Sequence, residues 1–125
     1  MKKTPFSLSR QLAGFRHAFN GLKVLLVEEH NARIHLFAAL TVIILSFYFD
    51  ISQLDWILII IAIISVFVME CINTAIENVA NAVTLESNRF IKNAKDVAAA
   101  AVLLTSINAV CVGVYVFFPH IKNLF

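Results

Sequence analysis

Flexible punctuation is scarce in this sequence, whose 125 residues hold three glycines, at 14, 21 and 113, and two prolines, at 5 and 119. That excludes a Gly/Pro-rich linker and a low-complexity segment, and no internal repeat is visible, so the chain reads as one domain. The two cysteines, Cys71 and Cys111, both fall inside apolar runs. They are expected to be small packing residues with no disulfide, and they do not report a compartment. A Gly-x-x-x-x-Gly-Lys-Ser/Thr run is absent, as is a Gly-rich turn after a strand, so the residues by themselves carry no nucleotide signature. Charge is thin too, at 14% of residues.

What is abundant is hydrocarbon. Hydrophobic residues make up 60% of the chain, far beyond a soluble domain, and a bilayer is the expected solvent. Three stretches carry no formal charge: 34–49, 56–69 and 97–118. A hydrocarbon core of roughly 30 Å needs about 20 helical residues, so the first two must borrow from their flanks. The expected spans are therefore 31–49, 55–82 and 95–118, with the second taking Glu70 into the membrane. Lys2 and Lys3 precede Thr4-Pro5-Phe6-Ser7, which interrupts any immediate apolar core, and no small-residue cleavage site follows the first run. A cleaved signal peptide is not expected.

Lys and Arg fall at six positions before the first span (2, 3, 10, 16, 23, 33), none between the first and second, three between the second and third (89, 92, 95) and one after. That bias places the N-terminus and the second loop in the cytoplasm and the C-terminus outside. Trp56 stands where a belt aromatic would mark the outer interface. Within residues 6–29, Leu12, Phe15, Phe19, Leu22 and Leu26 recur at spacings of three and four and gather within about 80° of a helix. With Arg16 and Lys23 beside the stripe, an amphipathic helix in the headgroup region is expected. A helix packed on the spans is the alternative.

The most informative segment lies in the second span. Glu70, Asn73, Glu77 and Asn81 share an arc of roughly 80° on an otherwise apolar helix. Such a stripe cannot face lipid, because a carboxylate deep in a membrane costs a few kcal/mol even on lenient scales, of the order of 3. Counting about 1.5 Å per residue from Trp56 sets Glu70 just below the inner interface and Glu77 at the water boundary. Glu28 and Glu29 at the first span, and Lys95 with Asp96 at the third, bring further charged groups to that level. Two carboxylates there are enough for magnesium, which keeps waters and substrate phosphates as the rest of its shell. The structural alternative is that the glutamates pair with Lys95, Arg33 or Lys92 to hold a bundle.

Two motifs then carry a resemblance. Glu70-x-x-Asn73-Thr74-Ala75-Ile76-Glu77, followed by Ala94-Lys95-Asp96-Val97-Ala98-Ala99-Ala100-Ala101-Val102-Leu103-Leu104, resembles the prokaryotic diacylglycerol kinase family, which includes the undecaprenol kinases. The likeness extends to Phe19-x-Gly21-Leu22 and the Glu29 to His35 segment, and so covers most of the chain. It implies an all-α integral membrane protein, a surface helix followed by three transmembrane helices, assembled as a homotrimer in the bacterial inner membrane. It implies an ATP- and magnesium-dependent lipid kinase that phosphorylates undecaprenol or diacylglycerol at the cytoplasmic face, within phospholipid or envelope lipid-carrier metabolism. No nucleic-acid partner goes with it. By that likeness Glu70 is the catalytic base and Glu29 and Glu77 hold the metal. Asn73, Lys95 and Asp96 surround the nucleotide and reacting groups, and Arg10 lies near the phosphates. Asn81 stands where the family usually has aspartate, which removes one negative charge from the stripe.

Other classes compete. Intramembrane glutamates also mark ion pathways, but the outer half of each span lacks an ionisable group, which favours chemistry at one surface over conduction by a small transporter. A non-catalytic assembly subunit is the third possibility. His30 and His35 flank Arg33 without a third ligand at suitable spacing, and interfacial hydrogen bonding is expected of them rather than metal binding. Thr105, Ser106 and Asn108 are expected at helix–helix contacts, as is the small-residue run 98–101. Phe117-Phe118-Pro119 is expected to end the third span. The 29–35 segment and the form of the Lys95 motif lean toward an undecaprenol substrate.

Overall fold

The structure, a computed structural model, describes residues 4–125. Lys2 and Lys3, which enter the charge count above, lie outside the described residues. The described chain is all-helical: α1 (Leu8–Glu28), α2 (His30–Tyr48), α3 (Gln53–Val83) and α4 (Arg89–Lys122). Three of these, α2, α3 and α4, are long and apolar enough to cross a membrane. At about 1.5 Å per residue they measure roughly 29, 46 and 51 Å. Against a hydrocarbon thickness of about 30 Å, α2 just suffices while α3 and α4 have turns to spare. Those spare turns carry the polar residues.

Local chemistry explains where the helices start and stop. The Asn88 side-chain oxygen accepts from Phe90 N at 2.8 Å and from Ile91 N at 3.3 Å, so α4 begins at Arg89, six residues before the expected span. Its charged first turns are helical rather than loop. At its other end α4 runs through Pro119 to Lys122 instead of stopping at Phe118. Proline lacks the N–H that would donate to Tyr115 O and its ring crowds that carbonyl, so its cost falls on the turn before it while the residues after it can stay helical. Ser52 caps α3 by accepting from Asp55 N at 3.1 Å.

Between α2 and α3 the chain reverses over a tight helix end. Ile51 N donates to Ser46 O at 3.3 Å and Asp50 N to Phe47 O at 3.2 Å, the paired bonds of a Schellman motif. Asp50 takes the left-handed position, with φ 49°, where glycine is usual and aspartate tolerated. Ile51 then drops into an apolar cluster with Ile59, Val116 and Phe117. Phe47 meets Trp56 edge-on at 4.8 Å, and Phe49 stacks on His120 at 5.3 Å. One end of the bundle is therefore aromatic.

Helix α3 packs most extensively on α4, and α1 and α2 lean more lightly against it. Half of the buried positions among the described residues are small: Ala32, Ala39, Ser46, Ala62, Thr74, Ala80 and Ala98. Small residues let backbones approach closely, the means by which helices associate where lipid offers no hydrophobic contrast. Large apolar side chains such as Phe37, Ile44, Ile64, Leu104 and Val110 point outward. On α1, Leu25 is buried, while Leu12, Phe15, Phe19 and Leu22 remain exposed. Thr105 does not bridge helices: its hydroxyl donates back to Val102 O at 2.9 Å and to Ala101 O at 3.1 Å. Asn108 is exposed, and of the run 98–101 only Ala98 is buried.

Asp50→Val, a β-branched side chain forced to positive φ, is expected to destabilise the protein by about 1–2 kcal/mol. Asp50→Gly should cost nothing. Thermal unfolding of the two variants in detergent micelles checks this, and equal melting temperatures would contradict the Schellman assignment.

Candidate active site

Glu70 sits midway along α3 with neighbours of its own helix that are almost wholly apolar, and it is 2% exposed. A carboxylate placed there needs a partner, because its solvation has been removed. The partner comes from α2: His35 Nε2 lies 3.1 Å from Glu70 Oε1. The approach is off the line of a well-directed hydrogen bond, so Oε1 is a sealed atom without a hydrogen-bond donor. Asn73 Oδ1 and Thr74 Oγ1, close by on the same helix, are likewise buried and unpartnered. Buried polar atoms are satisfied in the great majority of cases. Three such atoms fall within five residues of α3.

Glu29 occupies the break between α1 and α2, with extended backbone at φ −105°, ψ 114°. Both it and Glu77 are half-buried and near enough for their charges to act on Glu70. Glu29, at the α1–α2 break, and Glu77, about two turns further along α3, thus both lie within electrostatic range of Glu70. Among the described residues no group of three or more His, Cys, Asp or Glu side chains forms a closed metal cage.

The cations are elsewhere. Lys95 Nζ donates to Asn81 Oδ1 at 2.7 Å, tying the start of α4 to the end of α3 about one turn beyond Glu77. Lys92 pairs with Asp96 at 2.6 Å along α4, an exposed i,i+4 pair of little energetic weight. So neither lysine holds a glutamate, and the bundle-pairing alternative for Glu70 and Glu77 has no support from these contacts. Arg33 is exposed and makes no ion pair among the described residues. Arg10 is exposed in the first turn of α1, about 27 Å along the helix from Glu28. Among the described residues its guanidinium makes no ion pair with a carboxylate. Sequence reasoning missed the pairing role of His35, although an ionisable ring one residue into a charge-free run was the available signal.

Residues 16–117 match the family described as prokaryotic diacylglycerol kinase. An undecaprenol kinase from Bacillus subtilis is 32% identical over 114 residues, covering 91% of this chain and 93% of that protein. A diacylglycerol kinase from Synechocystis sp. is 32% identical over 114 residues, covering 90% of this chain and 65% of that protein. A diacylglycerol kinase from Escherichia coli is 27% identical over 117 residues, covering 94% of each. The chain belongs to the prokaryotic diacylglycerol kinase family. It is a lipid kinase of the membrane, and ATP as phosphoryl donor follows from the kinase class. Of the three classes weighed from the residues, the enzyme is the one this membership carries.

Asn81→Asp would turn the 2.7 Å contact, in which the Lys95 ammonium donates to a neutral amide oxygen, into an ion pair. The expected result is a higher unfolding temperature by up to about 1 kcal/mol of stability, with a salt-dependent gain. An unchanged or lower temperature at low salt would show that the contact does not join the helices.

Proposed function

We propose that this kinase transfers the terminal phosphoryl group of Mg-ATP to a membrane lipid alcohol at the cytoplasmic face, with Glu70 as base. The observation that carries this is the sealed Glu70 carboxylate, flanked by Glu29 and Glu77, in a chain of a lipid-kinase family. Phosphoryl transfer is largely positioning and charge stabilisation, and its intrinsic demand on the protein is a group to take the hydroxyl proton. Glu70 takes that proton as the lipid oxygen bonds to phosphorus and ADP departs with the electron pair of the broken P–O bond. Its level suits both substrates, since a lipid hydroxyl reaches it from the bilayer and a nucleotide from water.

Glu29 and Glu77 fit a magnesium site by donor chemistry: two hard carboxylate groups, with the remaining shell left to water and phosphate. A metal there would neutralise phosphate charge. The residues' own part is to fix two negative groups at the water boundary, one at a helix break and one on α3. Asn73, Lys95 and Asp96 are assigned to the nucleotide and the reacting groups. Arg10 is assigned to the phosphates, and the assembly proposed is a homotrimer. The exposed stripe on α1 supports a surface helix. The N-terminus inside and C-terminus outside follow from the basic residues that flank the carboxylate end.

The lipid proposed is undecaprenol, on the strength of the Bacillus subtilis relative and the 29–35 segment; diacylglycerol is the second reading, favoured by the Synechocystis and Escherichia coli relatives. Labelled ATP, magnesium and each alcohol in mixed micelles distinguish them, and a strong diacylglycerol preference overturns the first. Chelating magnesium is expected to abolish transfer. Glu70→Gln should lower turnover by about 10²-fold or more while the oligomer still assembles. Near-parental turnover in that variant would remove the base assignment.

A further inference from the structure

We propose that His35 is a positioning residue for phosphoryl transfer, holding one oxygen of the Glu70 carboxylate so that the other is reserved for the lipid hydroxyl. The inference rests on the reading of Glu70 as base. Oε1, the oxygen facing His35 Nε2 at 3.1 Å, is fully sealed. The slight exposure left to the Glu70 side chain, 3%, falls on its other atoms. Oε1 thus faces the His35 ring, while Oε2 is not among the sealed, unpartnered atoms.

Among the described residues no other side chain donates to it. Lys95 and Lys92 are engaged with Asn81 and Asp96, and the neighbouring Asn73 oxygen is itself an acceptor without a donor. A glutamate has three side-chain torsions, and an unanchored one samples orientations that do not abstract a proton. Its general-base contribution depends on hydrogen-bond reach to the reacting group. His35 is partly buried, with 25% of its side chain exposed. It stands one turn after Ala32, which is fully buried, and lines an apolar cavity with Ala39, Val42, Ile59 and Ala62. Within the protein the polar neighbour of its Nε2 is Glu70. The imperfect line of the contact fits a site without substrate, where catalytic hydrogen bonds are commonly loose and tighten when the reactants bind.

A neutral ring donating from Nε2 is sufficient for this role, which separates donation from bulk. Glutamine at 35 keeps an N–H at the reach of Nε2, and methionine keeps the length without the donor. Turnover and Michaelis constants of the full-length protein, with Mg-ATP and a lipid alcohol in mixed micelles, are compared for His35→Gln and His35→Met. The expected result is a loss of about tenfold or more in kcat for His35→Met, with KM for both substrates little changed, and recovery of most of that loss in His35→Gln. In a Glu70→Gln background, His35→Met should add no further loss, because a residue that acts through Glu70 has nothing left to act on. Equal kcat for the methionine variant and the parent overturns the proposal. So does an additive loss in the double variant, or a glutamine variant as slow as the methionine one with a normal oligomer profile. Parental turnover in Glu70→Gln alone would instead remove the base assignment beneath it, a result distinct from a failure confined to His35.

Discussion

One constraint organises this molecule: a carboxylate is held inside an apolar helix, where water cannot solvate it. Glu70 needs a polar neighbour at its own depth, and α2 supplies His35 by crossing α3 at that level. For the crossing to be close, the contact positions must be small, and Ala32, Ala39, Ala62 and Thr74 meet that need. Large side chains are displaced to the outside as a result. The buried interior is consequently modest, and the polar site and the helix packing are two aspects of one arrangement.

The two ends of the bundle differ because the constraint acts at only one of them. At the far end Trp56, Phe47, Phe49, Phe117 and His120 pack ring against ring, and the α2–α3 reversal closes over Ile51. At the near end the helices outlast the hydrocarbon thickness, and their spare turns carry Glu77, Asn81, Lys95 and Asp96. A substrate with a greasy body and a hydroxyl head meets a nucleotide only where such a gradient exists. The proposed chemistry is accordingly confined to one surface, and the aromatic end serves as the scaffold that fixes helix register.

Much of this was legible from residue order. The three apolar helices, the polar stripe on the second and the two family motifs follow from spacing and from side-chain types that membrane composition alone does not generate. Helix ends were less legible. Asn88 starts α4 early because its side chain can cap two free N–H groups, and Pro119 does not stop the helix because it perturbs the turn before it and leaves the residues after it free to continue. Thr105 turned to its own backbone, an option every mid-helix threonine has and no pattern distinguishes. His35 escaped notice as a partner for Glu70 because the two residues are 35 positions apart and nothing local links them.

By itself the sequence determined the solvent, the number of long apolar helices and the residue types available for chemistry, since hydropathy and 3.6-residue periodicity are local properties. Only the tertiary structure decided which groups meet: Glu70 with His35 and Lys95 with Asn81. Those pairings depend on the crossing and axial register of helices, and register is a property of packed surfaces that no single segment encodes.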